Sequence, residues 1–102
     1  MIKEIEREEM EELLDNGALL VDVRETDELI EGVIQGSVHM PLSTFDTLVH
    51  TLPKNKPIVF YCRSGRRSLK SAEIAKNLGY VQELYSLVGG YLAYAEEEDF
   101  TF

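Results

Sequence analysis

The sequence predicts a small three-layer α/β domain. β-prone apolar runs alternate with helical patterns along all 102 residues. One of them, Ala18-Leu19-Leu20-Val21-Asp22-Val23-Arg24, is almost continuously apolar, as expected of a strand buried on both faces of a parallel sheet. Five strands separated by short helices within about 100 residues fill one domain, residues 1–102, with one packed sheet.

Each element has a local cause. Ile2 to Ile5 reads as a short first strand. Glu8 to Asn16 reads as a helix with Met10, Leu13 and Leu14 inward and Gly17 as its stop. After the Ala18–Arg24 run, Thr26 caps a short acidic helical turn, Thr26 to Glu31, that ends at Gly32. Ser37 to Met40 is a weaker strand closed by Pro41. Ser43 and Asp46 resemble a capping box that starts a helix through about Leu52. Pro57 opens the central strand, Ile58 to Tyr61. Arg67 to Leu78 is helical, with Leu69, Ala72, Ala75 and Leu78 on one face and Gly79 at the stop. Val81 to Tyr85 reads as the last strand. Gly89-Gly90 leads into a last helix, Tyr91 to about Glu98.

Composition narrows the function classes. The formal charge of −9 argues against nucleic acid, because phosphate binding needs a basic surface. No stretch approaches the ~20 apolar residues that cross a bilayer, and the N-terminus does not read as a secretory signal. A single cysteine forms no internal disulfide, and with two histidines it shows no metal-ligand spacing. The expectation is a cytoplasmic monomer with no cofactor and no metal. The acidic run Glu96-Glu97-Glu98-Asp99 reads as a solvated helix face or tail. Tyr80, Tyr91, Phe100 and Phe102 read as core or tail residues, His39 as a strand residue and His50 as a surface helix residue. Arg63, Arg66, Arg67 and Lys70 form the one basic island, a place that draws small anions.

That island follows the only cysteine. In Tyr61-Cys62-Arg63-Ser64-Gly65-Arg66-Arg67-Ser68 a thiol sits at the end of a strand, with a tight turn and a helix start directly after it. Ligands of such domains bind beyond the carboxyl ends of the strands, where both Cys62 and Arg24 fall. Gly65 lets the chain turn closely, so that amides from Arg63 through Arg67 face one small bowl, a nest for an anion. Cationic neighbours and a helix N-terminus favour the thiolate, the form that attacks. A free cysteine ending a core strand is also a common structural residue. Three arginines packed so close together are costly without an anion to hold, which turns the reading toward a nucleophile. Asp22 reads as a residue that fixes the following loop through its amides. Arg24 either pairs with an acidic neighbour or lines the pocket rim. Ser64 and Ser68 are hydrogen-bond donors to the sulfur, and Ser68 is equally a first-turn helical residue.

Four segments together resemble the single-domain rhodaneses, the thiosulfate sulfurtransferases and persulfide carriers. They are Asp22-Val23-Arg24-Glu25, the stretch from Gly32 to Ser37 with Met40-Pro41, the Cys62 loop, and Leu87-Val88-Gly89-Gly90. The resemblance covers almost the whole chain and implies a five-stranded parallel sheet flanked by helices. It implies that Cys62 takes the outer sulfur of a small anionic donor such as thiosulfate and passes it from a persulfide to cyanide, a thiol or a protein acceptor. Arg67, by family position, then stabilises departing sulfite, with Arg63, Arg66, Ser64, Gly65 and Arg24 around the donor and Asp22 and Ser68 as support. Val33 stands where the family often has histidine, and Tyr94 where tryptophan is common. A carrier or regulatory module with a protein partner and little thiosulfate turnover is the alternative. Cysteine phosphatases of this fold place five residues between cysteine and arginine; here four separate Cys62 from Arg67, and Ser68 holds the next position.

Overall fold

The computed structural model describes residues 2–98. The strands are β1 (Ile2–Ile5), β2 (Leu19–Asp22), β3 (Val38–His39), β4 (Ile58–Tyr61) and β5 (Leu84–Leu87). The helices are α1 (Arg7–Asp15), α2 (Phe45–Leu48), α3 (Arg66–Asn77) and α4 (Gly90–Glu98), with shorter 3-10 turns at Thr26–Glu31, Leu42–Thr44 and Val49–Thr51. The sheet runs β1-β5-β4-β2-β3, and every neighbouring pair is parallel. This is the three-layer architecture expected.

Strand alternation divides the core between the two faces of the sheet. Ile58, Phe60 and Cys62 face one cluster with Val21, Phe45, Val49, Ala72, Ala75 and Leu84, closed by α2 and α3. Val59 and Tyr61 face the other with Ile5, Met10, Leu20 and Leu87, closed by α1 and α4. All four residues of β4 and of β5 are buried, and β4 accordingly reads as an unbroken apolar run. Parity along β4 therefore assigns Cys62 to the α3 side.

Several boundaries differ from the sequence expectation. The last strand starts three residues late, at Leu84 rather than Val81: Ile58 pairs with Leu84, and Val81 is 87% exposed on the approach to the sheet. On α3 the buried positions are Ser68, Ser71, Ala72 and Ala75, while Leu78 is half exposed beyond the helix end. Small side chains let α3 lie close against β4 and β5, and a leucine face would hold it off. Thr26 is not the cap of its turn. Glu25 is, in a capping box in which the Glu25 carboxylate accepts the Glu28 amide and the Glu28 carboxylate accepts the Glu25 amide at 2.9 Å. Ser43 does not cap α2; its amide and hydroxyl donate to the Glu25 carboxylate at 3.1 and 2.6 Å. The helix expected from Ser43 to Leu52 is broken into one α-helical turn between two 3-10 turns. Tyr80 is buried, with its hydroxyl donating to the Val49 carbonyl at 2.7 Å, and Tyr91 is partly buried. Asp99, Phe100 and Phe102 lie outside the described residues.

Candidate active site

Cys62 follows the last residue of β4, and its side chain is wholly buried. Polar groups surround the sulfur nonetheless. Gly65, at φ +106° and ψ −6°, turns the chain into α3 in a conformation that favours glycine. Its amide donates to Cys62 Sγ at 3.1 Å, and the Ser68 amide donates at 3.4 Å from the first turn of α3. Ser68 Oγ lies 3.5 Å from the sulfur. It accepts from the thiol and donates once the sulfur is ionised. The same hydroxyl is held at 2.8 Å by Ser86 Oγ, and while the thiol is protonated it donates to the Gly65 carbonyl at 3.2 Å.

These contacts decide the protonation of the thiol. Burial pushes its pKa up. The Ser68 hydroxyl and the amides of Ser68, Gly65 and Ser64 pull it down by more, so Cys62 lies below the ordinary thiol value. The groups at the sulfur are thus the Ser64, Gly65 and Ser68 amides and one hydroxyl: two amides of the run from Arg63 to Arg67 and one from just beyond it.

α4 holds the opposite side of the loop. The amides of Tyr91 and Leu92 donate to the carbonyls of Cys62 and Arg63 at 2.8 and 3.1 Å, so these oxygens are engaged by α4 and not by the sulfur's surroundings. Gly90 permits this approach: a Cβ there would lie 2.5 Å from the Cys62 carbonyl oxygen and 2.6 Å from the Arg63 carbonyl.

The arginines separate into distinct roles. Arg67 is gripped through both carboxylate oxygens of Glu28, at 2.6 and 2.7 Å. Hydrogen bonding to Arg67 holds the Glu28 carboxyl at about 2, against an opposing effect of burial. The Arg67 guanidinium also feels the charge of Cys62, which together with Glu28 raises its own pKa. Arg63 pairs more loosely with Glu31, at 3.3 and 3.4 Å. Arg66 and Ser64 are exposed.

Arg24 does not line a rim. Its side chain is 0% exposed and forks onto Asp22, with Nε 3.0 Å from Oδ1 and Nη2 2.8 Å from Oδ2. Burial lowers its pKa, but the hydrogen bonds and charge of Asp22 outweigh that and leave it raised. Asp22 also accepts the Arg24 amide at 2.9 Å and the Tyr61 hydroxyl at 2.7 Å. The Arg24 guanidinium donates onward to the carbonyls of Gly32 at 2.8 Å and Glu28 at 3.4 Å, and lies over the Tyr91 ring. It thereby staples the Thr26–Glu31 turn, whose carboxylates grip Arg63 and Arg67, to the end of β2.

Glu28, Glu31 and Ser86 were not singled out from the sequence. Glu28 and Glu31 stand three apart on one helical turn, a spacing that puts them on a common face, and that was the available signal. Ser86 is the one polar residue within β5. His39 is a β3 residue with Nε2 2.6 Å from the Arg24 carbonyl oxygen, and His50 is exposed. Val33 is half exposed, and the Tyr94 ring lies under the Arg7 guanidinium. Among the described residues no group of three or more His, Cys, Asp or Glu is placed to hold a metal ion, and no helix is long and apolar enough to cross a membrane.

Residues 6–97 match the family model of the rhodanese-like domain. The chain belongs to that family. Among its relatives is a protein named sulfurtransferase from Allochromatium vinosum, 33% identical over 97 residues, which span 93% of this chain and 90% of the relative. The reduced CoADR-RHD protein of Bacillus anthracis superposes with a TM-score of 0.85 at 30% identity; the match covers 92% of this chain and 16% of that one. A rhodanese-related protein from Thermoplasma volcanium superposes with a TM-score of 0.82 at 28% identity, over 93% and 92% of the two chains.

Proposed function

We propose that this rhodanese-like protein is a sulfurtransferase that moves a sulfane sulfur from a small donor to a thiophilic acceptor through a persulfide on Cys62. The observation that carries the reading is the convergence of the Gly65 amide, the Ser68 amide and the Ser68 hydroxyl on a buried sulfur whose pKa is lowered. A buried cysteine kept only for packing gains nothing from such donors. A nucleophile gains its thiolate, and the product persulfide gains stabilisation of its negative sulfur, as an oxyanion does in acyl transfer.

In the first step the Cys62 thiolate attacks the outer sulfur of the donor. With thiosulfate, the donor's sulfur–sulfur bond breaks and sulfite leaves with the electron pair. In the second step cyanide or a thiolate attacks the terminal sulfur and returns the Cys62 thiolate. An ionised cysteine needs no general base, in keeping with the absence of a histidine from the groups at the sulfur. The smaller loop, with Ser68 where a phosphatase has arginine, suits a lone sulfur better than a tetrahedral phosphate.

Mass spectrometry tests this directly. Incubation with a sulfane donor adds about 32 Da, one sulfur, at Cys62. Cyanide removes it, and Cys62→Ser does not acquire it. A wild-type protein that never gains the mass from any sulfane donor overturns the proposal.

A further inference from the structure

We infer that Glu28 sets the donor class of this site: by occupying Arg67 it disfavours the sulfonate of thiosulfate and selects persulfides, R–S–SH, as the source of sulfur. The inference rests on the sulfur-transfer reading of Cys62 and concerns which molecule loads it.

Three of the four arginines near the loop, Arg24, Arg63 and Arg67, are already engaged by carboxylates, and the fourth, Arg66, is exposed. Both hydrogen-bonding edges of the Arg67–carboxylate pair are short, at 2.6 and 2.7 Å, the geometry of a bidentate charge-assisted contact. Glu28 is about one-fifth exposed and Arg67 about one-third, so the pair is partly shielded from water. Arg63 is paired with Glu31, and Arg24 is spent on Asp22 in the interior. Arg67 also feels the Glu25 carboxylate, which the Ser43 amide and hydroxyl hold in place. A doubly charged donor arriving at Arg67 therefore meets two fixed carboxylates and must displace one.

A persulfide makes no such demand. The Cys62 thiolate attacks the terminal sulfur of R–S–SH, a new sulfur–sulfur bond forms, and the bond between the two donor sulfurs breaks. The electron pair leaves on R–S⁻, which takes a proton from water. The proton on the transferred sulfur is then lost to solvent, and Cys62–S–S⁻ remains among the amide donors. Nothing is oxidised or reduced overall. The leaving group carries one charge on sulfur and needs no guanidinium clamp.

The test compares second-order rates of sulfur loading on Cys62, read by mass spectrometry, from thiosulfate and from freshly made cysteine persulfide, with Cys62→Ser as the blank. The expected ratio favours cysteine persulfide by at least about tenfold in the wild-type protein, and Glu28→Gln shifts the ratio toward thiosulfate by about tenfold. Thiosulfate loading as fast as cysteine persulfide, or an unchanged ratio in a folded Glu28→Gln protein, overturns the inference and leaves the sulfur-transfer reading standing. Loading from neither donor overturns both. Should Glu28→Gln unfold, as its melting midpoint would reveal, the wild-type ratio alone decides.

Discussion

The Tyr91 amide donates to the Cys62 carbonyl at 2.8 Å, and this contact ties the start of α4 to the first residue of the sulfur-binding loop. It exists because residue 90 has no side chain. Its φ of +56° already favours glycine, and a Cβ would overlap backbone atoms of Cys62 and Arg63 that no rotamer change can move. Gly90→Ala is expected to cost ~1–3 kcal/mol, the usual range for overpacking. It is also expected to slow sulfur loading beyond what the lost stability explains. Denaturant unfolding and the loading assay, run together, check both. Loading at the wild-type rate would show that α4 does not position the loop.

Cys62 should titrate below an ordinary thiol. Thiolate absorbance against pH measures it, and Ser68→Ala should raise the midpoint by removing the hydroxyl donor. A lowered pKa in the folded protein means stabilisation that is fully present above the unfolded thiol pKa and lost as pH falls through the folded value. The stability advantage of wild type over Cys62→Ala should therefore widen as pH rises toward about 8.5. Because the side chain is wholly buried, small thiol reagents should also react faster than bulky aromatic disulfides.

The Glu28 carboxyl lies at about 2 in the folded protein, well under the range of a free glutamate. Its pairing with Arg67 contributes stability that is complete above the unfolded carboxyl pKa of about 4.3 and disappears as pH falls through the folded value. The difference in unfolding free energy between wild type and Glu28→Gln is expected to be flat at neutral pH and to shrink between about pH 4 and pH 2. A difference that stays constant down to pH 2 would mean that the pair does not form in solution.

Asp22 is the only carboxylate on the buried Arg24 guanidinium among the described residues. Asp22→Ala leaves that cation buried without its counter-ion, and the expected cost is ~3–5 kcal/mol. A small domain of this size survives that narrowly. Thermal unfolding followed by circular dichroism measures it. A loss below 1 kcal/mol would show that water reaches Arg24. Replacing both residues by apolar ones of similar volume should recover much of the loss, because no charge is then left buried.

Much of this protein was legible in local pattern. The apolar run ending in Cys62, the glycine three residues on and the helical period after it placed a thiol under a helix start, and strand parity along Ile58–Cys62 agrees with its burial. The Asp22 carboxylate accepts the Arg24 amide two residues on, a contact within reach of short-range pattern. The last strand was misplaced because Val81 is β-prone by itself, and only the pairing of Leu84 with Ile58 reveals the true start. On α3 the expected Ala72 and Ala75 are buried, but Leu78 is not, because the close approach to β4 and β5 required small residues, Ser68 and Ser71 among them, where helical periodicity finds large apolar ones.

By itself the chain of residues determined the α/β class, the position of the one thiol and the presence of cations beside it. Those follow from spacing over a few residues, which sets strand and helix period and local charge. Which carboxylate each arginine meets was decided only by the tertiary structure. Glu28 and Arg67 are 39 positions apart, Glu31 and Arg63 are 32 apart, and Ser68 meets Ser86 across 18. The two ion pairs form only when β2 and β4 lie side by side and the turn after β2 folds over the loop after β4, and Ser68 meets Ser86 only when α3 packs on β5 beside β4; no short-range pattern encodes either juxtaposition.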